Sequence, residues 1–552
     1  MDNWESFDIQ VALKIIKHIS SGIYRTPGGI FKELINNSYD AGATLVTITT
    51  GFPSFSEITI KDNGIGMKKE ELEFSFMHVG ASQKVLDSDY PAMYGRKIIG
   101  MFGIGVLASV HASQKITLRS FPSNENYGLE AELDLSPYFE YINQIKTLEE
   151  FKFGTIKYKL IDRKEADFGT TVILKNILKG SNFHQALAKT NTNGMKYVSW
   201  PSDATSISDN GAIMENFIRN IDADGVRSIE DLEGREQFLW EIGLICPVEY
   251  LEDGPIRKEF LDSNSELIIN RIKNDLKNLN FKVYFDGVQV RKPIRLPSTK
   301  LRKWDIDDID IDSGKDFKVH PIEITTSSNV NKEDVKIKAT GYILHQPYRL
   351  TPLQLMGLYP RIKYVGVGRY DNNFFKVIHG EHPILRAQLS GELYISEGLD
   401  EALNLDREGF IEIDPEYQAL KESLRDVLQV SVKEAKKTSK ERRERRTEIK
   451  ETERKKEIEK EVVKELQSMM PEKRIEISSP KDTQNKLETR VYSSISIRST
   501  PSKVELSIAD LRIEDPRTLS LIVKVDELLS AKSELIALRE EFIKIVNKIF
   551  KE

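Results

Sequence analysis

The stretch FKELINNSYDAGAT, residues 31–44, restricts the possible folds more than any other part of the chain. Glu33, Asn37 and Asp40 stand at i, i+4 and i+7, so one face of a helix would carry a carboxylate, an amide and a second carboxylate. Phe31, Leu34, Ile35 and Ala41 supply apolar positions beside them, so another side of the same helix must pack on a core. A polar row bordering a buried side faces either water or a ligand. The rest of the sequence has to decide which.

A chain of 552 residues exceeds one ordinary core, which suggests about three or four units. The net charge of −6 argues against attraction of the whole surface to nucleic acid or anionic membrane, though a local basic patch would still serve. A single cysteine, Cys246, excludes an intrachain disulfide framework and a multi-thiolate metal site, and reads as a buried, inert thiol. The opening MDNWESFD is acidic and polar, unlike a secretory or mitochondrial signal. The apolar run IIGMFGIGVLASV (98–110) is too short to span a bilayer, which takes about twenty residues. A cytoplasmic protein with no membrane association is expected.

The expected class is α+β and multidomain. Residues 1–180 alternate helical and strand patterns, with VALKIIKHI as a helix and LVTITT, EITIKD and TTVILKNI as strands. Residues 181–265 read as a mainly helical connector. A second mixed α/β region is expected over 266–430, where FKVYFDGVQVRKP has two short strands around an Asp286-Gly287 turn. Residues 431–470 form a charged helical arm, and 433–456 hold twelve Lys or Arg against six Glu. That composition suits a solvated helix or coiled-coil arm, or alternatively a nucleic-acid contact. Residues 471–552 read as a polar linker and a closing amphipathic helix, which would pair with a second copy or fold back on its own chain.

Three further stretches share the first 180 residues with the opening one. IKDNGIGM (60–67) puts Asp62 at a strand end, followed by glycines. GRKIIGMFGIGVLAS (95–109) is a glycine-rich loop entering an apolar helix, and DFGTTVIL (167–174) is a glycine turn into a strand. GIGVLA alone matches a dinucleotide fingerprint, but that motif needs an N-terminal strand directly before it, and no GxxxxGK[ST] occurs.

In this order the four stretches resemble the nucleotide site of the Bergerat-fold ATPases, the superfamily of gyrase, heat-shock-ninety chaperones, histidine kinases and MutL. The resemblance implies an N-terminal α/β sandwich that binds ATP and Mg2+. Glu33 would be the general base and Asn37 the magnesium ligand, on the helix that also carries Asp40. Asp62 would accept the adenine amino proton, with Gly66 and Met67 in its loop and Thr170 close by. Gly100, Gly103 and Gly105 would let backbone N–H groups approach the phosphates, and Lys84 in HVGASQK is a further basic candidate. The residue types suit these roles. An amide oxygen adds no negative charge beside a triphosphate, and magnesium keeps several waters and phosphate oxygens as its other ligands. The alternative role for Asp40 is a local cap or pair.

GELYISEGLDEALNLDREGF (391–410) resembles the middle-domain segment of the heat-shock-ninety chaperones, through Asn404, Leu405, Arg407 and Glu408. By that resemblance Arg407 would reach the γ-phosphate and make catalysis depend on domain closure; the bland alternative is a salt bridge to Asp406 or Glu408. The leading expectation is a heat-shock-ninety-like ATPase that closes over ATP within a homodimer and remodels a protein partner. The alternative is a MutL-like clamp on DNA, suggested by AGAT after Asp40 and by the doubled threonine in GTTV, with the basic arm as its contact. A histidine kinase acting through His18 is disfavoured, because a lone helical histidine usually packs.

Overall fold

The computed structural model describes residues 28–77, 96, 99, 112–136, 155–164, 167–191, 194–298, 316–330, 333–377, 386–404, 408–469, 474–478, 494–498, 503–504, 521–522, 525, 542 and 544–546. The chain divides into two compact units, Met1–Ser439 and Lys440–Glu552. The expected helix at 11–19 and most of the closing helix lie outside the described residues.

Among the described residues, the first unit opens with helix α1 (Gly29–Asp40), strands β1 (Leu45–Thr49) and β2 (Glu57–Asp62) and helix α2 (Lys69–Met77). Strands β3 (Ser113–Phe121), β4 (Tyr127–Asp134), β5 (Thr155–Asp162) and β6 (Gly169–Ile177) follow. Next come helices α3 (Asn182–Leu187), α4 (Ala212–Ala223), α5 (Gly234–Ile245) and α6 (Ser263–Asn278), then strands β7 (Lys282–Phe285) and β8 (Val288–Gln289). The architecture is mixed α+β, built on one eight-stranded sheet of order β5-β4-β3-β6-β2-β1-β7-β8.

The β7–β8 hairpin forms as its Asp-Gly turn suggests, with φ of 45° at Asp286 and 83° at Gly287. Its place is less local. Strand β7 runs parallel to β1, Val46 opposite Val283, so residues from the second mixed region complete the first sheet. The buried Asp286 carboxylate locks the join by accepting from the Thr50 N–H at 2.8 Å and its hydroxyl at 2.7 Å.

Helix α1 lies deep in this structure. Its Phe31 ring meets those of Phe183, Phe238 and Phe285 at 5.5–5.9 Å between centroids, so α3, α5 and β7 all hold it. Such aromatic contacts add to the burial term that fixes the helix in place.

A second, five-stranded sheet has the order β12-β11-β13-β10-β9 in the same unit. Its strands are β9 (Lys318–Val330), β10 (Glu333–His345), β11 (Gly357–Ile362), β12 (Val365–Gly366) and β13 (Leu389–Glu397). Helix α7 (Pro415–Met469) starts where Asp414 accepts from the N–H groups of Glu416 and Tyr417, with proline in the first helical position. Tyr417, Leu420, Leu424, Leu428 and Val432 recur at helical spacing and join the core of the second sheet. Beyond them the apolar stripe ends and the charged run begins.

In the second unit, β14 (Arg474–Ser478), β15 (Ser494–Arg498) and β16 (Lys503–Val504) form an antiparallel three-stranded sheet. Among the described residues no helix is long and apolar enough to cross a membrane. Cys246 is fully buried, and burial pushes its thiol up to about 12.

Candidate functional site

Of the twelve residues of α1, only Glu33 and Asn37 escape burial. Ten neighbours, including Lys32, Asn36, Ser38 and Asp40, are inside. The polar row of the sequence therefore divides. Glu33 and Asn37 form an accessible strip one turn apart, and Asp40 turns inward to accept from the Ile99 N–H at 2.8 Å. Asp40 thus ties the end of α1 to the glycine-rich stretch 95–109.

Asp62, at the end of β2, is held from three sides. The Ser38 hydroxyl donates to one carboxylate oxygen at 3.0 Å. The N–H groups of Gly64 and Thr170 donate to the other at 2.8 and 3.2 Å. The expected proximity of Thr170 is present through its backbone. Its hydroxyl instead pairs with the Ser120 hydroxyl at 2.8 Å, and Ser120 also accepts from the Met67 N–H at 2.7 Å. Asp62, Met67 and Thr170 are thereby linked across β2, β3 and β6.

Glycine is required at two points of this cluster. Gly66 has φ of 75°, and a Cβ there would stand 2.5 Å from the Phe121 carbonyl oxygen; at Gly169, with φ of 71°, the Asp62 carbonyl oxygen would be 2.0 Å away. No side chain fits either approach. Asn63 serves the backbone, accepting from the N–H groups of Thr44 and Leu45 at 2.8 and 2.9 Å.

Some participants were not evident from the motifs. Ser38 belongs to α1, yet nothing marks it except that a buried helical hydroxyl must find an acceptor. Arg96, in GRKIIG, is buried and donates to the carbonyls of Tyr39, Ala43, Leu279 and Asn280, anchoring the base of the glycine-rich stretch. Lys32, beside Glu33, forms a 3.2 Å ion pair with Glu408, and both side chains are nearly excluded from water. That pair brings the DREGF segment of the second mixed region onto α1. Lys84, Gly100, Gly103, Gly105 and Arg407 lie outside the described residues.

Among the described residues no cluster of three His, Cys, Asp or Glu could hold a metal unaided. The donor set fits a magnesium ion held by the Asn37 amide oxygen with phosphate and water oxygens completing the shell.

Residues 25–160 match the family described as histidine kinase-, DNA gyrase B-, and HSP90-like ATPase. The chain is also similar to the DNA mismatch repair protein MutL of Brucella anthropi, 27% identical over 230 residues, covering 39% of this chain and 36% of that one. MutL of Ehrlichia chaffeensis is 35% identical over 108 residues, covering 19% and 15%. A protein named as the putative type II restriction enzyme HgiDII, from Herpetosiphon aurantiacus, is 32% identical over 102 residues, covering 18% and 16%. The chain thus spans 36% or less of the length of each of these relatives.

Proposed function

The N-terminal region belongs to the Bergerat-fold ATPase superfamily, and from that premise we propose that this chain hydrolyses Mg-ATP to drive a conformational cycle that engages DNA, in the manner of a MutL-like clamp. The observation that carries the ATPase reading is the pair of accessible side chains on an otherwise buried α1, Glu33 and Asn37. Glu33 would take a proton from the attacking water, and Asn37 would orient the metal without adding charge. Magnesium, when bound, supplies neutralisation of phosphate charge. Asp62, already fixed by Ser38, Gly64 and Thr170, would accept from the adenine amino group; guanine has a carbonyl at that position.

Replacing Asp62 by Asn removes its charge and turns one of its two acceptor oxygens into an NH2 donor. The expected result is a rise in the ATP dissociation constant of about 10–100-fold, the worth of a hydrogen bond to a charged group, with a smaller margin over GTP. Equilibrium binding of both nucleotides checks it, with a circular-dichroism melt to show that the variant is folded. Unchanged ATP affinity would remove the adenine-recognition role.

The MutL relatives and the basic stretch 433–456 favour DNA over a protein client as the target. The full chain should bind duplex or single-stranded DNA and hydrolyse ATP faster in its presence. If about six phosphates are contacted, affinity should fall roughly 10³-fold between 50 and 200 mM salt. Reversing Lys440, Arg443 and Lys450 to Glu should weaken DNA binding and leave basal turnover intact.

A second reading, the heat-shock-ninety-like one, keeps the engine and changes the target to a protein partner. The Lys32–Glu408 pair favours it, because the segment resembling the chaperone middle domain reaches the candidate catalytic helix. An ATPase with neither DNA binding nor DNA stimulation would replace the first reading by the second. ATP-dependent dimerisation belongs to both.

A further inference from the structure

The hydrogen bond between the Ser120 and Thr170 hydroxyls could run either way, and burial decides its direction. Ser120 on β3 is wholly buried, and its oxygen already accepts from the Met67 N–H at 2.7 Å. Among the described residues the only acceptor that its proton meets is the Thr170 oxygen at 2.8 Å. A hydroxyl has one proton and two lone pairs, and a proton left unpaired in a buried site is costly. Thr170 on β6 is only half-buried, so its own proton can reach water or a ligand. Ser120 therefore donates to Thr170; the reverse direction would strand the Ser120 proton. The consequence is an edge of fixed polarity. On one side is the Asp62 carboxylate, an acceptor held by the N–H groups of Gly64 and Thr170. Beside it stands a hydroxyl with one lone pair taken by Ser120 and its proton turned outward.

We propose that Ser120 is a positioning residue for base recognition. By donating to Thr170 it fixes that hydroxyl as the donor toward N1 of a bound adenine. By accepting from Met67 it holds the loop after Asp62 in place. Acceptor next to donor matches the amino group and N1 of adenine, whereas guanine and hypoxanthine present the reverse, a carbonyl and an N1–H. A water between hydroxyl and base carries the same polarity, accepting from one and donating to the other. Ser123 reinforces the hold on the loop, its N–H donating to the Ile65 carbonyl at 2.8 Å. The β3–β6 register, which sets Ser120 opposite Thr170, makes the contact possible. The inference rests on the ATP-binding reading and deepens it, naming the group that sets its choice of base.

The test compares dissociation constants of the full chain for ATP and for 1-deaza-ATP, in which a C–H replaces N1. Wild type should prefer ATP by about 3–10-fold, the usual effect of one hydrogen bond. Thr170→Val, which removes the hydroxyl, should bring the ratio of the two constants to about one. Ser120→Ala leaves the Thr170 hydroxyl free to rotate and should lower the ratio by about half or more. A merely loosened loop would weaken both nucleotides together and leave the ratio where it was, so the ratio separates positioning from support. The opposite hydrogen-bond direction reverses the signs, with no wild-type preference for ATP and a preference gained in Ser120→Ala. Either of those results would overturn the inference, as would a Ser120→Ala ratio equal to that of wild type. Should Ser120→Ala fail to fold, Ser120→Cys, with its weakly donating thiol, takes its place with the same expected fall. A wild type that binds neither nucleotide overturns the ATP-binding reading and this inference with it. A wild type that binds ATP with the wrong ratio overturns the inference alone.

Discussion

Replacing Glu33 by Gln leaves Mg-ATP bound and stops its turnover, with kcat falling by about 10²–10⁴-fold, the range spanned by loss of a general base. The change is nearly isosteric, and Glu33 is only half-buried on a helix fixed by other residues, so the fold should survive it. Phe31 locks the start of α1 among aromatic rings, and Ser38, two turns on, ties its later part to Asp62. In the proposed site the base and phosphates are held by groups other than Glu33, so affinity should hardly move. Steady-state hydrolysis beside equilibrium binding reads the two effects separately. A variant that turns over like wild type removes Glu33 from the chemistry. Arg407→Ala belongs in the same experiment. The residues adjoining the two candidates, Lys32 and Glu408, touch. If Arg407→Ala binds ATP and loses turnover, closure by the second mixed region completes the site. If only Glu33→Gln fails, the ATPase stands without that arginine.

Local pattern carried much of this site. The i, i+4 relation of Glu33 and Asn37 needs only helical geometry to put them on one strip, and burial of Ile30, Phe31, Leu34 and Ile35 beside them follows from their apolar side chains. The Asp286-Gly287 hairpin and the Asp414-Pro415 helix start depend on backbone preferences legible within a few residues. Long-range pairing was not legible. Nothing in FKVYFDG says that β7 will lie parallel to β1, since a four-residue strand pairs with whatever edge the tertiary fold presents. Asp40 shows the same limit from the polar side. Helical spacing placed it near Glu33 and Asn37, and at i+7 it lies only about 20° around the axis from Glu33; what turns its carboxylate inward is the Ile99 N–H, a donor from a distant segment. The Thr170 hydroxyl likewise found Ser120 on the neighbouring strand, a partner that only the β3–β6 register brings opposite. In each case the residue type was informative, and the partner depended on packing between distant segments.

The largest stability effect should come from a different place, the ion pair between Arg361 of β11 and Glu392 of β13. Both side chains are completely excluded from water, and Nε donates to the carboxylate at 2.6 Å. Arg361 also donates to the Leu244 carbonyl of α5 at 2.7 Å. The hydroxyls of Tyr250 and Tyr342 donate to the other Glu392 oxygen, so the pair joins the second sheet to the segment around α5. Glu392→Ala would leave a guanidinium and two tyrosine hydroxyls without their acceptor. The expected loss is about 3–5 kcal/mol, the usual result of removing one partner of a buried pair. Replacing both charges, Arg361→Met with Glu392→Leu, should recover most of it, because no charge is then stranded. Acid should expose the same dependence. Burial alone would raise the Glu392 carboxyl, but Arg361, Lys292 and the tyrosine hydroxyls outweigh it and hold it below its ordinary 4.5. A carboxylate lowered on folding adds stability that is complete above the unfolded value and is lost as pH falls through the folded one. Wild type should therefore lose stability below about pH 4.5 more steeply than the double replacement does. Chemical denaturation of the three proteins at pH 7 and across the acid range reads both effects. A Glu392→Ala protein as stable as wild type would mean that this buried pair adds nothing to the stability of the join.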